Sequence, residues 1–166
     1  METSLHRALK SLYAGDTAQT EVVLDKYRID AISGGQLIEI QHGSLAAIRD
    51  KIRRLVESLG GQPIVVLGDF NCPPGSMPYW VLTREHENGT AFSDTQSRAA
   101  AGSNGGTFHG FTGQPRGGRI DWILVNRRFQ PVETNIDRRS RDGRYPSDHF
   151  PVTATLRLSS AGSAPG

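Results

Sequence analysis

The sequence has a single cysteine, Cys72, and no long apolar run. One cysteine excludes an internal disulfide, and the opening METSLHRALKSLYAG lacks the apolar core of a signal peptide. No segment approaches the ~20 apolar residues that a helix needs to cross a bilayer, so no membrane insertion is expected. These absences favour a soluble protein of the cytoplasm.

The chain also lacks a strong net charge. Its formal charge is +2 over 166 residues, which by itself does not indicate a nucleic-acid-binding protein. Arginines are nevertheless concentrated near the C-terminus, at Arg127, Arg128, Arg138, Arg139, Arg141 and Arg144. Two interpretations stay open, a solvated arginine-rich loop and a surface that binds a polyanion such as nucleic acid.

The length favours a single compact unit, and the pattern along the chain predicts an α/β fold with a mixed sheet and flanking helices. Leucines at helical spacing predict a helix over residues 3–13. TEVVLDKYRIDAI and QLIEIQ predict two strands of a hairpin around the SGG turn of residues 33–35. Residues 44–59 predict a second helix, capped by Ser44 and ended by two glycines.

The apolar run PIVVLGDF, residues 63–70, is typical of a strand in the middle of a sheet that is covered on both faces. With the strand and helix before it, this run predicts parallel pairing. A short helix near residues 77–83 and strands at RIDWILV, PVTATLRL and a shorter segment over residues 131–136 follow. The last eight residues, 159–166, predict a disordered tail.

Acidic residues lie at or beside the ends of three predicted strands. They occur in GDFN (Asp69 and Asn71), in RIDWIL (Asp121) and in YPSDHFPV (Asp148 and His149). Each acid alone is as typical of a turn as of a site. In an open α/β sheet, however, such positions converge on ligands, and clustered carboxylates require a cation or a proton. Mg²⁺ suits such a site because it binds carboxylates, water and phosphate oxygens.

Together the segments GDFNCPPGS, GTFHGFTG, RIDWILV and SDHFPVTATL resemble the endonuclease/exonuclease/phosphatase family of metal-dependent phosphoesterases. The resemblance covers about residues 61–158 and implies half of that family's four-layer sandwich. It implies hydrolysis of a phosphate ester, a phosphodiester or a phosphomonoester, with Mg²⁺ or Mn²⁺ as the cofactor.

The same resemblance implies a role for each matching residue. Asp69 would take a proton from the attacking water, and Asn71 would orient the water and the phosphate. His149 would hydrogen bond a phosphate oxygen while Asp121 fixes its tautomer, and Asp148 would lie at the metal. Arg119 would contact the substrate. For His109 two interpretations stay open, a residue that lines the cleft and contacts the substrate, and a structural residue.

The residues before this region carry a different pattern. Asp30 lies on one predicted strand, and Glu39 and Gln41 lie two apart, on one face of the next. This pattern resembles the core of PD-(D/E)XK nucleases, which implies that Asp30 and Glu39 bind a metal ion. Gln41, in place of that motif's lysine, would then contact the substrate. His42 lies where the phosphoesterase resemblance implies a polar residue after a strand, which would bring it near the substrate cleft. A solvated sheet face is the alternative interpretation.

The sequence therefore predicts two joined patterns, residues 1–59 and residues 60–158. Whether the junction is a natural fusion, a misassembled gene or a designed recombinant stays open. No segment matches the first half of a phosphoesterase domain, which supplies its principal metal ligand. Three functions follow as alternatives: a phosphoesterase, a nuclease that uses the N-terminal acids, and a catalytically incomplete remnant that binds anions and self-associates through exposed sheet.

Overall fold

The structure is a computed structural model. It describes residues 7, 12, 19–24, 27–33, 36–38, 61–84, 91–98, 101–102 and 105–159. The chain divides into two compact units, Met1–Lys51 and Ile52–Gly166. The predicted helix over 44–59 and the predicted tail lie outside the described residues, apart from Ser159, and of the helix over 3–13 only the two helical residues Arg7 and Leu12 are described.

The first unit contains a three-stranded antiparallel sheet. Its strands are β1 (Gln19–Leu24), β2 (Tyr27–Ser33) and β3 (Gln36–Ile38), in that order. The predicted hairpin is confirmed, because β2 and β3 pair with Ser33 opposite Gln36. The prediction of a single strand before it is wrong. Two consecutive charged residues at 25 and 26 interrupt the apolar run, and β1 and β2 pair on either side of them.

The second unit contains two further three-stranded sheets. Its elements are β4 (Val65–Asp69), α1 (Met77–Thr83), β5 (Ser93–Asp94), α2 (Thr95–Arg98), β6 (Ala101–Gly102), β7 (Asp121–Val125), β8 (Phe129–Ile136) and β9 (Val152–Leu158). One sheet has the order β4-β7-β5 and is antiparallel; the other has the order β6-β8-β9, with β6 parallel to β8. The predicted mixed α/β class and the predicted short helix are confirmed.

The prediction for β4 is wrong in two respects. The strand pairs antiparallel with β7, and within the described part of the chain it lies at the edge of its sheet. It is also exposed, with 67% of the Leu67 surface accessible. A continuous apolar run does not determine how many neighbours a strand has, because pairing partners come from segments distant in the chain. Self-association through this surface stays a prediction.

The register of β4 and β7 determines which side chains share a face. Paired residues of an antiparallel ladder point to the same side, and successive residues alternate. Trp122 is buried on one side of the sheet. There its indole stacks on the ring of Phe70, with ring centroids 4.4 Å apart, and packs edge to face with Tyr79 of α1, with centroids 5.1 Å apart. Asp121 and its partner Asp69 therefore point to the other side together.

Asn126 fixes the far end of the same two strands. Its buried side chain donates to the carbonyl of Gln62 at 2.7 Å and accepts from the backbone N–H of Ile64 at 3.2 Å. The backbone N–H of Asn126 donates to the carbonyl of Ile64. The two strands are thus tied at the end opposite the acids.

No helix among the described residues has the length and hydropathy of a membrane span.

Candidate active site

The first acid of the site lies at the end of β4. Asp69 is exposed, and its Oδ1 accepts the backbone N–H of Asn71 at 2.8 Å. This is the Asx turn expected where an acid ends a strand. Asn71 has φ of 53°, a left-handed conformation that asparagine tolerates better than most residues. The turn orients the carboxylate of Asp69. Its second oxygen, Oδ2, accepts no hydrogen bond from the residues that the structure describes.

The second acid forms a pair with the histidine of the SDHF segment. His149 Nδ1 lies 2.9 Å from Asp121 Oδ2. The backbone N–H of His149 donates to Ser147 Oγ at 3.1 Å, and Phe108 pairs with His149 in an isolated antiparallel bridge. The backbone of His149 is thereby held by its own segment and by Phe108, and its ring is held by Asp121.

The two strand ends and the SDHF segment converge. Potential ligand atoms of Asp69, Asp121 and His149 all lie within 4.8 Å of one another. Asp148 immediately precedes His149 in the chain. The carbonyl of Asp148 accepts the backbone N–H groups of His109 and Gly110 at 2.9 and 3.0 Å. Of the residues that the resemblance implies, the structure brings together three, Asp69, Asp121 and His149.

The electrostatics of this cluster favour a charged imidazole. Burial lowers the pKa of His149, but the hydrogen bond and charge of Asp121 and the charges of Asp69 and Asp148 outweigh burial, so that the pKa is raised above its ordinary value of 6.5. Even with the imidazole protonated, the carboxylate of Asp69 is left over once Asp121 and His149 balance each other. Such a cluster attracts a divalent cation or a proton.

We expect Asp121→Asn to lower the pKa of His149, because the substitution removes the nearest charge that stabilises the imidazolium and leaves the effect of burial in place. The measurement is an NMR pH titration of the His149 ring protons in the presence of a chelator. A histidine whose pKa is higher in the folded state than in the unfolded state adds to the free energy of unfolding. This contribution is fully present below about pH 6.5, and it is lost as pH rises through the folded-state pKa. The variant should therefore lose stability mainly on the acidic side. An unchanged pKa would contradict the assigned pair.

His109 does not line a cleft as predicted. Its side chain is completely buried. The imidazole stacks on the ring of Phe150, with centroids 4.0 Å apart, and contacts the ring of Tyr145, with centroids 4.6 Å apart. Nδ1 accepts the backbone N–H of Gly113 at 3.2 Å. The residue packs the core behind the SDHF segment, and the spacing of GTFHGF cannot distinguish this position from a surface one.

Arg119 is also placed differently from the prediction of substrate contact. Its guanidinium forms a buried ion pair with Asp94, which is 2% exposed, and donates to the backbone carbonyl of Asp121 at 3.3 Å. Tyr79 donates its hydroxyl to the same carboxylate at 3.1 Å, and burial and Asp94 raise the pKa of that phenol. Sequence reasoning missed Asp94, since no motif marks it.

The N-terminal acids are only partly described. Asp30 lies on β2 with a partly exposed side chain. Glu39, Gln41 and His42 lie outside the described residues. The interpretation of these residues as a nuclease site stays a prediction.

A sequence profile for a domain of unknown function, DUF8091, matches residues 3–97, more than half of the chain. The chain belongs to this family. The matched region includes β4 with Asp69 and Asn71 and ends before Asp121. A comparison with curated protein sequences found no match.

The solved structures that resemble this DUF8091 protein include several endonuclease/exonuclease/phosphatase family proteins. One from Bacteroides vulgatus is 30% identical with a TM-score of 0.59, covering 72% of this chain and 47% of its own. A family member from Bacteroides thetaiotaomicron is 23% identical with a TM-score of 0.58, and the match covers 72% of this chain and 48% of that protein. A mannosyl-6-phosphatase of that species is 24% identical with a TM-score of 0.54, covering 69% and 44%.

These comparisons confirm the resemblance and the fold class predicted from the motifs. The chain spans about half the length of the structures that it matches. The likeness extends over about 70% of this chain.

Proposed function

We propose that the protein is a phosphoesterase of the endonuclease/exonuclease/phosphatase type that uses a divalent metal ion and an activated water molecule. The observation that carries the proposal is the convergence of Asp69, Asp121 and His149 within 4.8 Å. Three separate segments supply these residues, and each belongs to a motif that resembles the family.

Asp69 is the general base in this proposal. One of its oxygens is held by the N–H of Asn71, which leaves the other to accept a proton from water. Its exposure keeps the carboxylate accessible to water and to a phosphate ester. Asn71 directs its amide from the same turn toward the water and the phosphate. A positioned carboxylate of this kind contributes to the rate by removing the proton as the new bond forms.

His149 stabilises the charge that develops on the phosphate. Because Nδ1 is engaged by Asp121, Nε2 is the ring nitrogen left to donate a hydrogen bond to a non-bridging oxygen. The raised pKa keeps the donor protonated to higher pH. Hydrogen bonds directed at developing charge are among the largest contributions to phosphoryl transfer.

The donor set fits a hard divalent cation such as Mg²⁺ or Mn²⁺. Asp148 would contribute a carboxylate to the ion, because Asp69 acts as the base and Asp121 is engaged by His149. Magnesium typically takes one or two carboxylates and completes its shell with water and phosphate oxygens. When bound, such an ion polarises the phosphate and lowers the pKa of a bound water.

The proposed substrate class is a phosphate ester, and the arginines favour a polyanion such as nucleic acid within it. Arg141 and Arg144 are exposed at the two ends of a tight hairpin turn that precedes the SDHF segment. The mannosyl-6-phosphatase among the similar structures supports including phosphomonoesters in the test.

The test is hydrolysis by the purified protein of a nitrophenyl phosphomonoester, a bis-nitrophenyl phosphodiester and plasmid DNA. Each reaction is run with Mg²⁺, with Mn²⁺ and with EDTA. We expect hydrolysis that requires the metal and stops with EDTA. A folded protein that binds no divalent ion and hydrolyses none of the three would contradict the proposal and favour the catalytically incomplete alternative.

A further inference from the structure

One side-chain oxygen holds the backbone at the start of β7. Thr107 is completely buried, and its Oγ1 accepts the backbone N–H of Ile120 at 3.1 Å and that of Asp121 at 3.3 Å. A hydroxyl has two acceptor lone pairs, so it can accept both N–H groups at once. These two residues bring the chain into the strand whose first residue carries the site carboxylate.

The backbone of the same residue holds the other half of the pair. The carbonyl of Thr107 accepts the backbone N–H of Phe150 at 2.8 Å, one residue after His149. The next residue, Phe108, forms the isolated bridge with His149, and its ring meets the imidazole at 5.2 Å. Thr107 therefore contacts both of the segments that are joined by the hydrogen bond between Asp121 and His149.

The backbone at this position has little freedom to shift. A Cβ atom on Gly106 would lie 2.6 Å from the carbonyl oxygen of Gly117. The backbone at Gly106 therefore lies closer to the loop that contains Gly117 than any other residue type permits. This close approach fixes the backbone from which the Thr107 hydroxyl projects. The acceptor is thus presented from a rigid position, as are groups in other sites that hold a catalytic or ligating side chain in place.

We infer that Thr107 is a positioning residue that fixes Asp121 relative to His149. The inference rests on the proposed function for its effect on catalysis, but its structural part is independent of any activity. Without the hydroxyl, two partly buried N–H groups lose their described acceptor and the start of β7 shifts toward other partners. The geometry of the carboxylate and imidazole then changes although neither residue is altered.

The test compares three variants. Thr107→Val keeps the volume and removes the hydroxyl, and Thr107→Ser keeps the hydroxyl. Thr134→Val is the matched control, because Thr134 is equally buried on β8 and its hydroxyl has no hydrogen-bond partner in the structure. The control makes the same change of atoms away from the site, so it separates loss of a buried hydroxyl from loss of this contact.

The first readout is the tautomer of His149 in the metal-free protein, observed through the two ring-nitrogen shifts by NMR at one alkaline pH. Because Asp121 accepts a hydrogen bond from Nδ1, the wild type should hold its proton there. We expect Thr107→Val to shift the population toward the Nε2-protonated form, and Thr107→Ser and Thr134→Val to retain the wild-type spectrum.

The second readout is kinetic. With an ester that the wild type hydrolyses, Thr107→Val should lower kcat about 10- to 100-fold with little change in KM, the range usual for groups that orient a catalytic residue. Thr107→Ser should restore the rate. A wild-type tautomer in folded Thr107→Val, or failure of the serine variant to rescue it, would overturn the inference. An inactive wild type would contradict the proposed function alone, because the tautomer still decides the role of Thr107.

Discussion

Asp69→Asn is expected to reduce metal-dependent hydrolysis about 10²- to 10⁴-fold, the usual contribution of a positioned general base. Asparagine keeps the shape of the side chain, and its oxygen still accepts the N–H of Asn71, so the turn should survive. The amide cannot take a proton from water. The measurement is kcat at saturating metal, together with circular dichroism and a melting curve to show that the fold is retained.

Two further variants give the Asp69 result its meaning. Asp142→Asn makes the same chemical change in an exposed hairpin turn, where φ of 52° suits asparagine, and should leave the rate unchanged. Glu39→Gln tests the N-terminal acids and should also retain activity. If Glu39→Gln abolishes hydrolysis while Asp69→Asn does not, the nuclease interpretation of residues 30–42 replaces the proposed one.

The largest effect on stability is expected from Asp94→Asn, which removes the negative charge of a buried ion pair. Asp94 is 2% exposed and the side chain of Arg119 is 10% exposed. Removing one partner of such a pair typically costs 3–5 kcal/mol, because the other charge stays in the interior uncompensated. The slight exposure of Arg119 favours the lower end, about 3 kcal/mol. Urea unfolding should show a lower midpoint with an unchanged slope.

The exposed ion pair of Asp137 and Arg139 provides the control for Asp94. Arg139 Nε lies 2.9 and 3.0 Å from the two oxygens of Asp137, in good geometry, but the arginine side chain is 89% exposed. Exposed pairs contribute little because water screens them. Asp137→Asn should therefore leave the midpoint almost unchanged. Equal losses for the two variants would show that burial is not the cause of the difference.

The positions of the acids could be predicted from the sequence because motif and periodicity coincide there. GDFN ends an apolar run, and Asp121 begins one, so each acid lies at a strand end whatever the tertiary arrangement. The antiparallel register that pairs Asp69 with Asp121 was not predictable, since the two residues are 52 positions apart in the chain. The sequence instead favoured a parallel partner for β4.

The roles of His109, Arg119 and Thr107 show where motif reasoning fails. All three lie near the predicted site in the sequence, and a polar residue in such a motif is as compatible with a buried hydrogen bond as with a ligand. His109 packs on Phe150, and Arg119 pairs with Asp94. Thr107 carries no signal of its own, because its importance depends on which two backbone N–H groups its hydroxyl meets.

Residue order and apolar patterning specify which chemical groups are available and at which strand ends they lie, because both are local properties of the chain. Which of these groups meet follows from the fold. The pairing of β4 with β7 brings two carboxylates to one face, and the backbone around Thr107 brings His149 to them. These contacts join distant segments, and their register depends on packing of the whole unit, which local patterns do not encode.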